Sequence, residues 1–165
     1  MVSYQGTYEF FDNAFTYPEN VLRPRPLIKT YPEHSVMWYL ERFHPKYAFI
    51  VKLARLDWQM ADASFRGTLF VPLEDSLNEN EILQMDISTA RRIVKYQFMV
   101  GLFPKDVLYT SPYQQLQSTI KGAYITASIQ RPGEMVLNYT TPIVFYDILL
   151  TNGIIHIISK MLILA

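Results

Sequence analysis

TNGIIHIISKMLIL, residues 151–164, sets one histidine, His156, between two isoleucine pairs. An Asn-Gly turn signal precedes it, and Ser159 and Lys160 interrupt the apolar run that follows. The run is too short and too polar to cross a bilayer, which takes about 18 apolar residues or more, and no other stretch reaches that length. Strand alternation puts Ile154, His156 and Ile158 on one face and Ile155, Ile157 and Ser159 on the other. With both faces apolar, the stretch reads as a central strand covered on each side. A buried imidazole without partners costs about 1–3 kcal/mol. His156 is therefore expected to be a neutral, hydrogen-bonded core histidine rather than a metal ligand or a base.

Upstream lie four more strand-like segments: LQSTI (116–120), AYITASI (123–129), MVLNYT (135–140) and IVFYDILL (143–150). Lys-Gly, Arg-Pro-Gly, Thr-Pro and Asn-Gly separate them. The earlier half reads as helical. SVMWYLERF (35–43) and KYAFIVKLARL (46–56) predict two short helices separated by Pro45, with Phe49, Leu53 and Leu56 on one face. TLFVP (68–72) is a short buried strand stopped by proline, and EDSLNENEIL (74–83) a helical turn or two. DISTARRIVKYQFMVG (86–101) predicts the longest helix, capped by Asp86 or Ser88 and ended by Gly101. Ile87, Ala90, Val94 and Gln97 share one face of it, which makes Gln97 a second expected polar core residue. Helices first and strands last is an α+β order.

Residues 1–34 differ from the rest. They hold Tyr4, Tyr8, Phe10, Phe11, Phe15, Tyr17 and Tyr31, together with four of the ten prolines. The X-Pro repeats of LRPRPLIKTYP force extended backbone, so this arm cannot bury its rings in itself. Those rings, with Arg23 and Arg25, are the expected partner-binding residues of an extended N-terminal arm. Residues 35–165 are the expected domain.

With 50% apolar and 18% charged residues, the chain has a globular balance. A net charge of zero gives no global field for nucleic acid or an anionic membrane. The absence of cysteine excludes disulfides and thiolate metal sites. The N-terminal stretch lacks the basic and apolar regions of a secretory signal. His34 and His44 have no ligand spacing, and no nucleophile elbow or phosphate loop occurs, so neither a metal, a cofactor, a small-molecule substrate nor catalysis is expected. Arg91, Arg92 and Lys95 read as a solvated helix face. Asn138-Tyr139-Thr140 has glycosylation spacing that arises readily by chance.

Three segments resemble the fasciclin-like (FAS1) family: GTLFVPLEDSL (67–77), IVKYQFMVG (93–101) and YDILLTNGIIHIISKMLIL (146–164). The resemblance covers roughly residues 35–165 and departs in two places. Gln97 stands where the family's second motif has histidine, and Ser159 where an aspartate follows the histidine strand. It implies a mixed β-wedge with a helical layer, adhesion or interaction rather than catalysis, and no obligatory cofactor. Integrin-binding members are associated with the Tyr-His segment and an Asp-Ile motif, which makes Tyr96, Asp147 and Ile148 the expected adhesion surface. The family also occurs in large DNA viruses. Together with the arm, that leads to the expectation of a non-enzymatic structural protein, a minor cementing protein of a capsid, located in the virion or an intracellular assembly. Its partners would be other protein subunits, including major capsid proteins. The alternative expectation is a cell-surface or extracellular adhesion module.

Overall fold

The computed structural model describes residues 31–131 and 133–164. The expectations for Tyr4, Tyr8, Phe10, Phe11, Phe15, Tyr17, Arg23 and Arg25 lie outside the described residues.

Ser35 starts the helical half by accepting the Trp38 amide, which caps α1 (Val36–Phe43). Pro45 does not separate the two helices as expected. It is the first residue of α2 (Pro45–Leu53), where its missing N–H costs nothing. The buried face of α2 is Tyr47, Ala48, Ile50 and Val51. Phe49, from the expected row, is 44% exposed. Both rows satisfy helical spacing, and only the position of the sheet chooses between them. A short α3 (Asp57–Ala61) leads to β1 (Gly67–Pro72), which is buried from end to end.

A 3-10 turn at Glu74–Ser76 and α4 (Glu79–Leu83), capped by Asn78, follow β1. Asp86 caps α5 (Ile87–Gln97) through the Thr89 amide at 3.0 Å. The helix does not run on to Gly101. At Gln97 it passes straight into β2 (Phe98–Val100), because Phe98, Met99 and Val100 pair antiparallel with Leu69, Thr68 and Gly67 of β1. Gly101, at φ 110°, ends that strand instead, and its amide bonds to Arg66. The short α6 (Lys105–Leu108) precedes β3 (Tyr113–Gln117), which begins three residues earlier than expected. Then come β4 (Tyr124–Arg131), β5 (Glu134–Leu137), β6 (Thr141–Leu150) and β7 (Gly153–Ile158).

The strands form one seven-stranded mixed sheet in the order β2-β1-β7-β6-β5-β4-β3. Among the described strands only β1 and β7 run parallel, in a register that sets Phe70 opposite His156. The start of β6 pairs with β5 and its remainder with β7, so this strand joins the two halves of the sheet. Two apolar clusters fill the two faces. Leu69, Val71, Ile155 and Ile157 meet Met37, Leu40, Ile50, Met60 and Val94 of the helical layer. Phe70 and Ile158 turn the other way and meet Leu116, Ile125, Met135 and Leu137. The alternation of β7 thus serves two cores, which is why it is apolar on both faces. Each large side chain buried this way contributes about 1.5–3 kcal/mol. Gly153 is required where β7 begins, since a Cβ there would lie 2.8 Å from both the Gly67 carbonyl and the Val36 side chain.

Candidate functional site

His156 lies in the middle of β7 with no exposure to solvent. Its ring stacks on Phe70 at a centroid distance of 5.8 Å. Nδ1 accepts the Asp147 amide at 3.1 Å, which leaves Nε2 to carry the proton and donate to the Phe103 carbonyl at 2.8 Å. Asp147 adopts φ 62° within a stretch of β6 whose register against β7 shifts. A bulge of this kind takes an amide out of the strand ladder, and the imidazole satisfies it. The Asp147 carboxylate in turn accepts the Lys105 amide at 2.8 Å. One buried histidine therefore ties β7, the β6 bulge and the entry to α6 together. Burial lowers its pKa from the ordinary value of 6.5, opposed by the Phe103 bond and the Asp147 charge.

An aromatic pair closes over this knot. The Tyr109 and Tyr146 hydroxyls lie 2.7 Å apart, and the Lys105 ammonium sits 4.7 Å from the Tyr146 ring centre. Burial, then the neighbouring Tyr109, raises the Tyr146 pKa above the usual range.

Gln97, also fully buried, clamps the chain end. Its amide nitrogen donates to the Leu162 carbonyl at 2.7 Å, and its oxygen accepts the Leu162 amide at 3.1 Å. A carboxamide can bond a backbone unit in both directions at once. Asn152 does comparable work that the turn-signal reading missed. Its oxygen accepts the first amide of α1, from Val36, and its nitrogen donates to the Met60 and Asp62 carbonyls at the end of α3. The buried Asn-Gly turn thus fastens two helices to the sheet. Only a side chain with both donors and an acceptor can do so.

The expected adhesion surface does not assemble. Tyr96 is 4% exposed; its hydroxyl donates to the Tyr124 carbonyl at 2.8 Å and accepts from the Asn138 amide nitrogen at 3.0 Å. The helix–strand junction faces it into the strand-side cluster. Ile148 is half-buried against the helical cluster, and only Asp147 is exposed. Tyr31, expected in the partner-binding arm, is buried in the helical cluster. It donates to Asp57 at 2.7 Å, and burial, then the Asp57 charge, raises its pKa. The Thr151 amide bonds the His34 carbonyl, so residues 31–34 are joined to the domain.

Among the described residues no group of three or more His, Asp or Glu side chains could hold a metal ion, and no helix is long and apolar enough to cross a membrane. An open groove of about 380 Å³ runs between α4, α5 and residues 161–164, floored by Ile82, Met85 and Ile93 and rimmed by Glu81 and Arg92.

The family model described as Fasciclin domain matches residues 44–164, most of the chain. The protein belongs to the fasciclin-domain family. Its fold is similar to a FAS1 domain pair from the insect cell adhesion molecule Fasciclin I, with a TM-score of 0.66 and 21% identity. The match covers 80% of this chain and 51% of that one, so the fasciclin domain here spans about half the length of that structure. A search of the curated proteins finds no match.

Proposed function

We propose that this fasciclin-domain protein is a non-enzymatic structural protein that makes protein–protein contacts in a larger assembly. The observation that carries the reading is a contrast on β6. The imidazole beneath that strand is fully used by backbone groups. On the strand itself, Val144, Phe145 and Leu149 stand 48%, 59% and 69% exposed beside the exposed Asp147. Apolar side chains that face water along one strand are the material of a contact surface. The aromatic and proline content of residues 1–30 supports a second contact made by the arm, since prolines reduce the ordering entropy an extended segment loses on binding.

The specific form of this reading is a cementing subunit between capsid proteins of a large DNA virus. It predicts that deleting residues 1–30, with Tyr31 kept, leaves circular dichroism and thermal melting unchanged and abolishes incorporation into the particle. Incorporation at the level of the full chain would contradict it. The second reading, an adhesion module, shares the β6 surface through Asp147. It predicts that an Asp147→Ala and Phe145→Ala double variant loses cell attachment while the deletion of residues 1–30 does not.

A further inference from the structure

The groove between α4, α5 and residues 161–164 has walls of opposite charge. Glu81 lines it from α4, and Arg92 lines it from α5. Residues 74–86, which build the first wall, hold five carboxylates and no cation. Helix α5 holds three cations and no carboxylate. The chain end, which Gln97 clamps to α5, adds Lys160, and that residue also lines a cleft with Asn138, Thr140 and Thr141.

Some of these charges are used within the domain. Glu74 accepts the Lys46 amide, Asp86 caps α5, and Arg91 donates to the Ala54 carbonyl. The side chains of Glu79, Glu81, Arg92 and Lys95 make no such bond, and among the described residues no ion pair joins the two walls. Two sets of opposite charge thus face water across one groove without meeting.

The surface between the walls is apolar. Ile82, Met85 and Ile93 form its floor, and Met161 to Leu164 continue it. Ile163, which lines the groove, is 81% exposed. Leu83, next in sequence to the floor residue Ile82, is 65% exposed, and Ile87 at the start of α5 is 44% exposed. Single apolar side chains on a surface are ordinary, whereas several of them beside an apolar groove rimmed by charge mark a contact face.

We propose that this groove is the contact face of a homodimer, in which a second copy of the chain docks about a two-fold axis parallel to the groove. Such an axis exchanges the walls. The Glu81 wall of each copy then meets the Arg92 wall of the other, and the two apolar floors close on each other. An axis across the groove would set acid on acid and base on base. A partner of uniform charge would be attracted by one wall and repelled by the other. The complement of this face is therefore a surface with an apolar centre, one acidic side and one basic side, and a second copy carries that surface. Isologous contacts of this kind are the commonest route to a closed dimer. Opposite charges that contribute little on a free surface contribute more once an interface excludes water. The face uses no residue of β6 and none of residues 1–30, so it stands or falls separately from the assembly reading.

The test is sedimentation equilibrium of the full chain. The expected result is a mass that rises with concentration from 19.3 kDa toward twice that value, with a Kd on the order of 10 µM that weakens as salt is added. Glu81→Arg and Arg92→Glu each set like charges against each other on both sides of the axis, and each should weaken the dimer about a hundredfold. Mixed in equal amounts, the two variants should pair with each other, because one copy then has two basic walls and the other two acidic ones. Ile163→Asp should also weaken the dimer. All three positions are exposed, and unchanged thermal melting would show that the variants fold. Three results would overturn the proposal. They are a monomer at all concentrations up to about 1 mM, a dimer that both charge reversals leave intact, as association through the arm or β6 would be, and reversed variants that stay apart when mixed.

Discussion

His156 and the Tyr113–Tyr124–Tyr139 face use similar chemistry, an aromatic ring with a polar handle, in the same sheet and to opposite ends. At His156 the ring is enclosed and both nitrogens are held by backbone groups of two different elements. At the far strands the rings are about half in water. Enclosure converts a polar side chain into a fastener, because a buried group left unpaired costs more than its bond returns. Exposure leaves the same chemistry available for recognition. The two regions should therefore answer oppositely to substitution.

The widest gap is expected between His156→Ala and Tyr124→Ala. The first removes a ring stacked on Phe70 and strands the Asp147 amide and the Phe103 carbonyl, so it should cost about 3–5 kcal/mol in urea unfolding. The second should stay within about 0.5 kcal/mol of the parent. Equal effects would break the distinction. Next comes Gln97→Leu, which keeps the apolar volume and unpairs both backbone groups of Leu162. A loss of about 2–3 kcal/mol is expected, with faster amide exchange at Leu162. A neutral outcome would mean that the clamp is dispensable.

The smallest effect is the pH dependence. The folded pKa of His156 lies below its unfolded value of 6.5, so the unfolded chain binds the extra proton first as pH falls. Its contribution is complete above 6.5 and shrinks as pH drops below that value toward the folded pKa. His44, shifted down mainly by burial, acts in the same direction. Urea midpoints should decline from pH 7 to pH 5, and His156→Ala should flatten part of that slope. A slope identical in parent and variant would assign the effect elsewhere.

Much of the sheet centre was readable from residue order. The two-faced apolar run at 154–158, the TLFVP strand and the Asp86 cap each state a local preference that packing then honours. Gln97 was readable as inward-facing from its spacing with Ala90 and Val94, although its partner, the Leu162 backbone, lies 65 residues away. What stayed hidden depends on where distant elements land. Phe49 and Ile50 fit a helix equally well, and the sheet decides which one it covers. Tyr96 and Tyr31 look like interface tyrosines until β4 and α3 supply partners for their hydroxyls. Asn152 carries the same turn signal whether or not its side chain is used. Gly101 is a plausible helix end, yet Phe98–Val100 leave the helix early because β1 offers them an unpaired edge.

The central claim is that His156, Gln97 and Asn152 spend their buried polar atoms on holding the domain together. Long-range ¹H–¹⁵N spectra of the His156 imidazole between pH 5 and pH 8 test it most directly. The account predicts a single neutral tautomer, with Nδ1 bare and Nε2 protonated, that persists below pH 6.5. A ring that exchanges tautomers, or titrates at the value of a free histidine, would contradict it.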